Sequence, residues 1–279
     1  MLRYVLLGIS LLFATAGSAA DAPDKPVYYT PTNTILILGA VPQEIPPFVD
    51  AMTGREKKSL WGIPYYIGKI DGKPVVVAIT GIGKTFTAMT STLFITHFKP
   101  RLVLMSGTGA RINPNLRTGD VIVATVTYEH DYGSQTKAGM VYRAMTGPNN
   151  GNEVENAFSP SPKLLALADQ AMVTYKAPEV SANDATYAIK VRRGVVASSD
   201  LFGVTTRRID SLRNHFHADI MEMESAPLGH VCETLGVPYV IVRAGSNVAQ
   251  EAPNNDYLRL GPIAARQAAL FSLHLLKYL

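Results

Sequence analysis

The chain has 279 residues, of which 47% are hydrophobic and 17% are charged, and this ordinary globular composition excludes disordered, collagen-like and coiled-coil proteins. Its formal net charge is only +4, whereas a dedicated nucleic-acid binder usually carries a strong basic patch, so we expect no nucleic-acid partner. The one cysteine, Cys232, excludes an internal disulfide framework and any zinc site built from cysteines.

The first twenty residues have the pattern of a secretory signal peptide. Arg3 supplies a short positive region, residues 4–16 form an apolar core, and residues 17–20 are the small residues that a signal peptidase needs. A buried N-terminal helix or an uncleaved anchor is the alternative, although the apolar stretch is short for a membrane span. We therefore expect a secreted or periplasmic protein with no stable membrane association once the signal is cleaved.

Apolar runs and helical periodicity alternate along the rest of the chain. Residues 21–33 contain three prolines and are predicted as an extended lead-in to one domain over residues 34–279. We predict strands over residues 34–40, Ile63–Ile70, 73–80, 101–106, 120–128, 188–198, 219–223 and 238–244. We predict helices over Lys84–Phe98, residues 162–175 and 205–216, Ser225–Leu235 and residues 257–279. This alternation implies an α/β sandwich around a mixed sheet.

The segment from Gly81 to Lys84 resembles part of a phosphate-binding loop but lacks its first glycine. That motif needs a glycine five residues before the Gly-Lys pair, and the chain has Ala78 there. We expect Gly81 and Gly83 to shape a turn between a strand and a helix instead.

Four segments place polar groups directly after predicted apolar strands, where sheets of this class bind their ligands. These segments are residues 39–44, 106–110, 221–224 and 243–247. Each has a structural alternative: Glu44 could cap a helix, the glycines beside Thr108 could form a tight turn, and Arg243 could simply pair with a glutamate. Glu222 and Glu224 fall on one face of an extended strand, and their apolar surroundings predict partly buried carboxylates that need partners.

Taken together, the ordered motifs of this chain resemble the nucleoside phosphorylase superfamily. The motifs are ILGAVPQEI, TGIGK, FKPRLVLMSGTGA with LRTGDVIV, ASSDLF, MEMESAPLGHVC and VPYVIVRAGSNVA. Within the superfamily the chain is most similar to 5′-methylthioadenosine/S-adenosylhomocysteine nucleosidases, over about residues 35–277. The resemblance implies a single-domain, three-layer α/β/α sandwich around a mixed, partly barrel-like sheet. It also implies a small-molecule purine nucleoside as substrate, with no metal ion and no organic cofactor.

The resemblance assigns roles to the catalytic residues. Glu44 matches the general base that activates the attacking water, and Glu224 matches the acid that holds the ribose hydroxyls. Breaking an N-glycosidic bond leaves positive charge on the ribose and negative charge on the base, so a carboxylate below the sugar and a donor beside the base both favour the reaction.

Five further residues are matched to the family's substrate contacts. Thr108 takes the place of a hydroxyl residue near the sugar and water, Phe202 matches the aromatic residue that packs on the purine, and the Met223 backbone lies beside Glu224. Arg243 matches an arginine near Glu224. His130 matches a histidine lent to the 5′ pocket of the neighbouring subunit, so a homodimer is implied.

Asn247 departs from the family, which usually has an aspartate there as the leaving-group acid. An amide cannot give a proton to N7, but its NH₂ and C=O can both hydrogen-bond, which suits a 6-oxopurine. Mammalian-type purine nucleoside phosphorylases, which prefer inosine and guanosine, are similar in placing an asparagine by the base. An adenine nucleosidase with slower chemistry, and a relative that binds without cleaving, are the alternatives.

Met105 stands where hexameric bacterial phosphorylases of this superfamily carry a phosphate-binding arginine. Their arginine-bearing glycine loop after the first strand is also replaced, here by VPQEI. Because Arg–phosphate contacts supply much of the affinity for phosphate, we expect water to be the nucleophile. A phosphorylase and a non-catalytic nucleoside-binding protein are the competing interpretations, and the 5′ substituent is left open.

Overall fold

Helices separate groups of strands along the chain, and the buried strands are apolar. The computed structural model describes residues 29–147, 153–154 and 156–279. In this part of the chain the strands are β1 (Ile35–Gly39), β2 (Thr53–Leu60), β3 (Ile63–Ile70), β4 (Lys73–Ile79), β5 (Leu102–Arg111), β6 (Val121–Glu129), β7 (Gly133–Thr136), β8 (Gly139–Tyr142), β9 (Met145–Thr146), β10 (Glu153–Val154), β11 (Ala157–Phe158), β12 (Glu179–Ala182), β13 (Ala185–Ala188), β14 (Val191–Ser198), β15 (Ile220–Glu222) and β16 (Tyr239–Val248). The helices are α1 (Pro46–Ala51), α2 (Lys84–Phe98), α3 (Pro162–Thr174), α4 (Thr206–Phe216), α5 (Ser225–Leu235) and α6 (Asn254–Leu275). The predicted signal segment, residues 1–20, and most of the predicted lead-in lie outside the described residues.

The central sheet is mixed and partly closes into a barrel. Strand β5 pairs with β1 and β16 in parallel and with β15 antiparallel. Strand β16 also pairs with β6, β6 with β14, and β14 with β15, so these five strands complete a ring. Beyond β1, the open part of the sheet continues through β4 and β3 to β2 at its edge. The predicted fold class is therefore confirmed.

Strand β1 shows how the sheet is held between two helical layers. Ile35 and Ile37 pack in one apolar cluster with residues of α1, α3 and α6, whereas Leu36 and Leu38 pack in a second cluster with residues of α2 and α5. All four side chains have no solvent exposure. A strand buried on both faces needs an unbroken apolar run, which explains the sequence of β1.

Two predicted strand ends are wrong. The predicted strands end at residues 106 and 244, but β5 continues to Arg111 and β16 to Val248, with Gly107 paired to Arg243 and Gly109 to Gly245. A side chain at Gly109 would meet Ile220 Cγ2 of β15 at 2.3 Å, so this glycine lets barrel strands approach closely.

Within the part of the chain that the structure covers, no helix combines the length and apolar character needed to cross a membrane.

Candidate active site

Glu44 is fixed by hydrogen bonds at the carboxyl end of β1. It closes the short 3₁₀ turn Pro42–Glu44, and its Oε2 accepts a hydrogen bond from the Ala40 amide at 2.6 Å. Its Oε1 reaches across to β5, where it accepts from the amide and the hydroxyl of Thr108 at 2.9 and 3.1 Å. The side chain is 2% exposed. Glu44 thus caps its own turn and also holds a fixed position against β5.

Gly107 allows Glu44 and the barrel to meet. A Cβ atom at position 107 would lie 2.3 Å from Arg243 Nη1 and 2.8 Å from Glu44 Oε1. Both distances are shorter than van der Waals contact permits, so only glycine leaves room for these two charged groups beside β5.

Arg243 is a completely buried guanidinium between two carboxylates. Its Nη2 lies 2.5 Å from Glu222 Oε2 but 3.5 Å from Glu224 Oε2, and its Nε donates to the Ser225 hydroxyl at 2.9 Å. Glu222 also accepts from the amides of Glu224 and Ser225 and from the Ser198 hydroxyl. The two glutamates do need partners, as predicted, but Glu222 makes the shorter contact with the arginine.

Glu224 is left with capacity to bind a ligand. Strand β15 ends at Glu222, so Glu224 does not continue the strand as predicted; it precedes the first residue of α5. Its Oε1 accepts a hydrogen bond from the Gly83 amide at 3.0 Å. Burial raises the pKa of Glu224 to about 8, the Glu222 carboxylate adds to this rise, and Arg243 opposes it. Near neutral pH the acid therefore retains a proton, and it can donate as well as accept.

The raised pKa of Glu224 predicts how stability changes with pH. The folded protein holds a proton there that the unfolded chain releases near its ordinary pKa, so the free energy of unfolding should fall as pH rises from about 5 to about 8. The slope from this group is at most about 1.4 kcal/mol per pH unit. Urea unfolding of the wild type and of Glu224→Gln across this range measures it. Glutamine mimics the protonated acid, so the free energy of unfolding of the variant should rise relative to that of the wild type as pH rises. A difference between the two free energies that does not change with pH would contradict the prediction.

Asn247 is the amide of the site and lies near the end of β16. Its Nδ2 donates to the Val248 carbonyl at 2.9 Å, and its Oδ1 accepts from the Ser246 hydroxyl at 3.0 Å. The residue is 2% exposed. The second N–H and the second lone pair of this fixed amide remain for a ligand.

These groups surround one pocket with about 590 Å³ of empty space, including the part that is open to solvent. Six of the predicted site residues line it: Glu44, Thr108, Phe202, Met223, Glu224 and Asn247. Arg243 lies behind the wall, since it is completely buried and does not line the pocket.

Two other residues that line the pocket had no predicted ligand role. Tyr257, in the first turn of α6, packs edge-to-face against Phe202 with ring centroids 5.7 Å apart, and its hydroxyl accepts from Gln43 at 3.1 Å. Glu222 also lines the pocket, and the only signal for it was its two-residue spacing from Glu224. No sequence motif pointed to Tyr257.

His130 lies outside the pocket lining. Its imidazole has no solvent exposure in the protomer, and Nδ1 lies 2.9 Å from Arg208 Nη2. Burial lowers the pKa of His130 to about 4, and Arg208 adds to this shift, so the ring is neutral at physiological pH. The contact with a neighbouring subunit stays a prediction.

The pocket lining is acidic. It contains three acidic side chains, Glu44, Glu222 and Glu224, and none of the described residues that line it is a lysine, arginine or histidine. No group of three or more His, Cys, Asp or Glu side chains in the described ranges has the arrangement of a metal site. The site is therefore suited to a neutral or cationic ligand with hydroxyl groups.

The chain is similar to one known protein family and to several solved structures. A family model of the phosphorylase superfamily matches residues 34–277. The 5′-methylthioadenosine/S-adenosylhomocysteine nucleosidase of Neisseria meningitidis, in complex with methylthio-immucillin-A, is 26% identical, with a TM-score of 0.76 over 89% of this chain and 100% of that chain. Futalosine hydrolase of Helicobacter pylori is 27% identical, with a TM-score of 0.74 over 88% of this chain and 98% of that chain. An aspartate-to-asparagine mutant of the H. pylori 5′-methylthioadenosine nucleosidase, with 5′-methylthioadenosine in its active site, is 27% identical, with a TM-score of 0.75 over 89% and 100% of the two chains.

Proposed function

The chain belongs to the phosphorylase superfamily, and from this premise we propose that it is a purine nucleosidase, which hydrolyses the N-glycosidic bond of a purine nucleoside. The similar solved structures include nucleosidases and a futalosine hydrolase, which supports N-glycoside hydrolysis as the class of reaction. The observation that carries the proposal is that two separately held acidic side chains, Glu44 and Glu224, and one fixed amide, Asn247, line the same pocket.

Each of these groups has a task in the proposed reaction. The bond between ribose C1′ and the purine breaks, and its electron pair leaves with the base. Water attacks C1′ and gives a proton to Glu44, whose hydrogen bonds to Thr108 and the Ala40 amide hold the carboxylate in place. Glu224 holds the ribose hydroxyls, while the free N–H of Asn247 stabilises negative charge on the departing purine, which then takes up the proton.

Water fits this site better than phosphate does. The carboxylate of Glu44 lines the pocket and would repel a phosphate dianion, and none of the described lining residues is a cation that would attract one. Arg243 is not available for phosphate, because it is buried against Glu222, and its Nη2 also contacts the Met105 sulfur at 3.3 Å. These contacts favour hydrolysis over phosphorolysis.

Asn247 supports a preference for 6-oxopurine bases. Changing Asn247 to aspartate should raise the ratio of adenosine to inosine cleavage by about tenfold, because a carboxyl can give a proton to N7 and the lost NH₂ no longer serves O6. The ratio of kcat/KM for the two nucleosides measures this effect. Asn254→Asp makes the same chemical change at an exposed position and should leave the ratio unchanged. An unaltered ratio in Asn247→Asp would remove this residue from base selection.

The proposal includes export and a homodimer. The segment over residues 1–20 supports secretion to the periplasm or the medium, and the sequence match of His130 supports pairing of two subunits. The intact mass of protein recovered from the periplasmic fraction tests cleavage after residue 20, and sedimentation velocity tests the dimer.

In the deciding assay, protein comprising residues 21–279 is incubated with inosine, adenosine or 5′-methylthioadenosine, each with and without phosphate. Free base and free sugar are then measured. Free ribose from inosine without phosphate would support both hydrolysis and the 6-oxopurine preference. Ribose 1-phosphate formed only with phosphate would show a phosphorylase. Binding of all three nucleosides without release of base would leave a nucleoside-binding protein.

A further inference from the structure

Two loops border the pocket from different parts of the chain. The turn before α2 contains Ile82, which lines the pocket, and Gly83, whose amide holds Glu224. The loop after β14, residues 199–203, contains Leu201 and Phe202, which line the pocket on the side predicted for the base. The two loops are more than a hundred residues apart in sequence, so their relative position depends on contacts between them.

Asp200 makes the first contact between these loops. Its Oδ1 accepts a hydrogen bond from the Lys84 amide at 2.7 Å. Helix α2 begins at Lys84, and its N-cap residue, Gly83, supplies no side-chain cap. The carboxylate of Asp200 takes that role from the opposite loop, where the helix dipole favours negative charge. A Cβ atom on Gly83 would lie 2.8 Å from Asp200 Oδ1, so glycine at 83 makes this approach possible.

Asp131 makes the second contact and joins both partners of the first. Its Oδ1 lies 2.7 Å from Lys84 Nζ, and its Oδ2 accepts from the Asp200 amide at 3.1 Å. Lys84 Nζ also lies 3.3 Å from Glu129 Oε2. The side chains of Lys84 and Asp131 are only 22% and 20% exposed, so solvent screens their attraction less than that of a surface pair.

The ammonium of Lys84 keeps its charge in this environment. Burial acts to lower the pKa of Lys84, but the carboxylates of Asp131 and Glu129 outweigh it and leave that pKa above its ordinary value.

We propose that Lys84, Asp131 and Asp200 form a positioning network. This network sets the distance between the loop over residues 199–203, which we expect to contact the purine, and the turn before α2, whose Gly83 amide holds Glu224. The network touches no reacting atom. It acts through Phe202 on one side and through Gly83 and Glu224 on the other. The role in catalysis rests on the proposed function, whereas the coupling of the two loops does not.

Three variants test the network. Lys84→Met removes the ammonium but keeps the helix amide, Asp131→Asn removes the charge, and Asp200→Ala removes the helix cap. We expect each to raise both KM and the Kd for the free purine base by about tenfold, with a smaller change in kcat, because charge-assisted hydrogen bonds that place the loops are lost. Lys84→Arg should recover part of the affinity. Lys137→Met, at an exposed lysine outside the network, is the matched control.

Amide hydrogen exchange provides a measurement that needs no substrate. Peptides that cover residues 81–84 and residues 199–203 should both exchange faster in Lys84→Met and in Asp200→Ala than in the wild type. Acceleration in both loops supports the network even if the wild type cleaves no nucleoside. Unchanged exchange in either loop would overturn the proposal. So would variants with a lower melting temperature whose KM and Kd stay within twofold of the wild-type values.

Discussion

Replacing Glu44 with glutamine should lower kcat by about 10²–10⁴-fold, the range that a positioned general base supplies, while the nucleoside still binds. Glutamine has nearly the same shape, so its side-chain oxygen can still accept from the amide and the hydroxyl of Thr108. It cannot take a proton from water. Single-turnover release of base, measured beside Kd for the nucleoside, separates the chemical step from binding.

The control for Glu44→Gln is Glu56→Gln, which makes the same change on the exposed strand β2 and should leave kcat at the wild-type value. The Glu44→Gln variant also lacks a negative charge that faces the pocket. The turnover of the variant and of the wild type should therefore be compared at several pH values. Turnover within a few-fold of the wild type throughout would remove Glu44 from the role of base.

Replacing Arg243 with methionine should lower the free energy of unfolding by about 3–5 kcal/mol, the cost of leaving a buried charge without its partner. Glu222 would lose an ion pair of 2.5 Å, and Glu224 would lose the cation that opposes its raised pKa. Methionine fills much of the volume of the arginine stem, so the loss reports charge more than packing. Urea unfolding at one fixed pH measures it.

The double variant Arg243→Met with Glu222→Gln distinguishes charge from volume. If the unpaired carboxylate causes the loss, removing its charge should restore part of the stability, which makes the two changes non-additive. Arg266→Met, at an exposed arginine on α6, is the matched control and should change stability little. A loss below about 1 kcal/mol in Arg243→Met would contradict the account of the buried ion pair.

The elements that sequence predicted best carry strong local signals. Helix α2 has the predicted bounds because glycines precede it. Helix α5 begins after Glu224 and ends before Gly236, which adopts a left-handed conformation. The β3–β4 hairpin follows from Asp71 and Gly72, both of which have positive φ.

Local patterns failed where tertiary pairing decides the structure. Strand β2 is almost fully exposed and charged, so it has no apolar alternation, and only its pairing with β3 makes it a strand. Strands β5 and β16 run past their apolar residues because Gly107 and Gly109 serve close packing in the barrel, although glycine in sequence indicates a turn.

The candidate site was predictable where it rests on ordered motifs. Glu44, Glu224 and Asn247 came from the resemblance to a known family, and the structure brings all three to one pocket. Glu222 was missed as the main partner of Arg243. The sequence does not distinguish Glu222 from Glu224, and only the structure shows that the guanidinium lies closer to Glu222. Tyr257 was missed because it reaches Phe202 from a helix on a distant part of the chain.

Some groups of the site stand on strands of the sheet and others on a loop, so the two sets differ in how easily local unfolding displaces them. Thr108 and Asn247 stand on β5 and β16, two strands of the closed ring that pair with each other over most of their length, so a large cooperative opening would be needed to separate them. Leu201 and Phe202 stand on a loop and are 45% and 49% exposed. If the protein is a nucleosidase, as proposed, small openings of that loop would admit the nucleoside and release the base while Thr108 and Asn247 keep their positions. Under the proposed function, substitutions in this loop would change how tightly the base is packed, while Thr108 and Asn247 would keep their places on the ring strands.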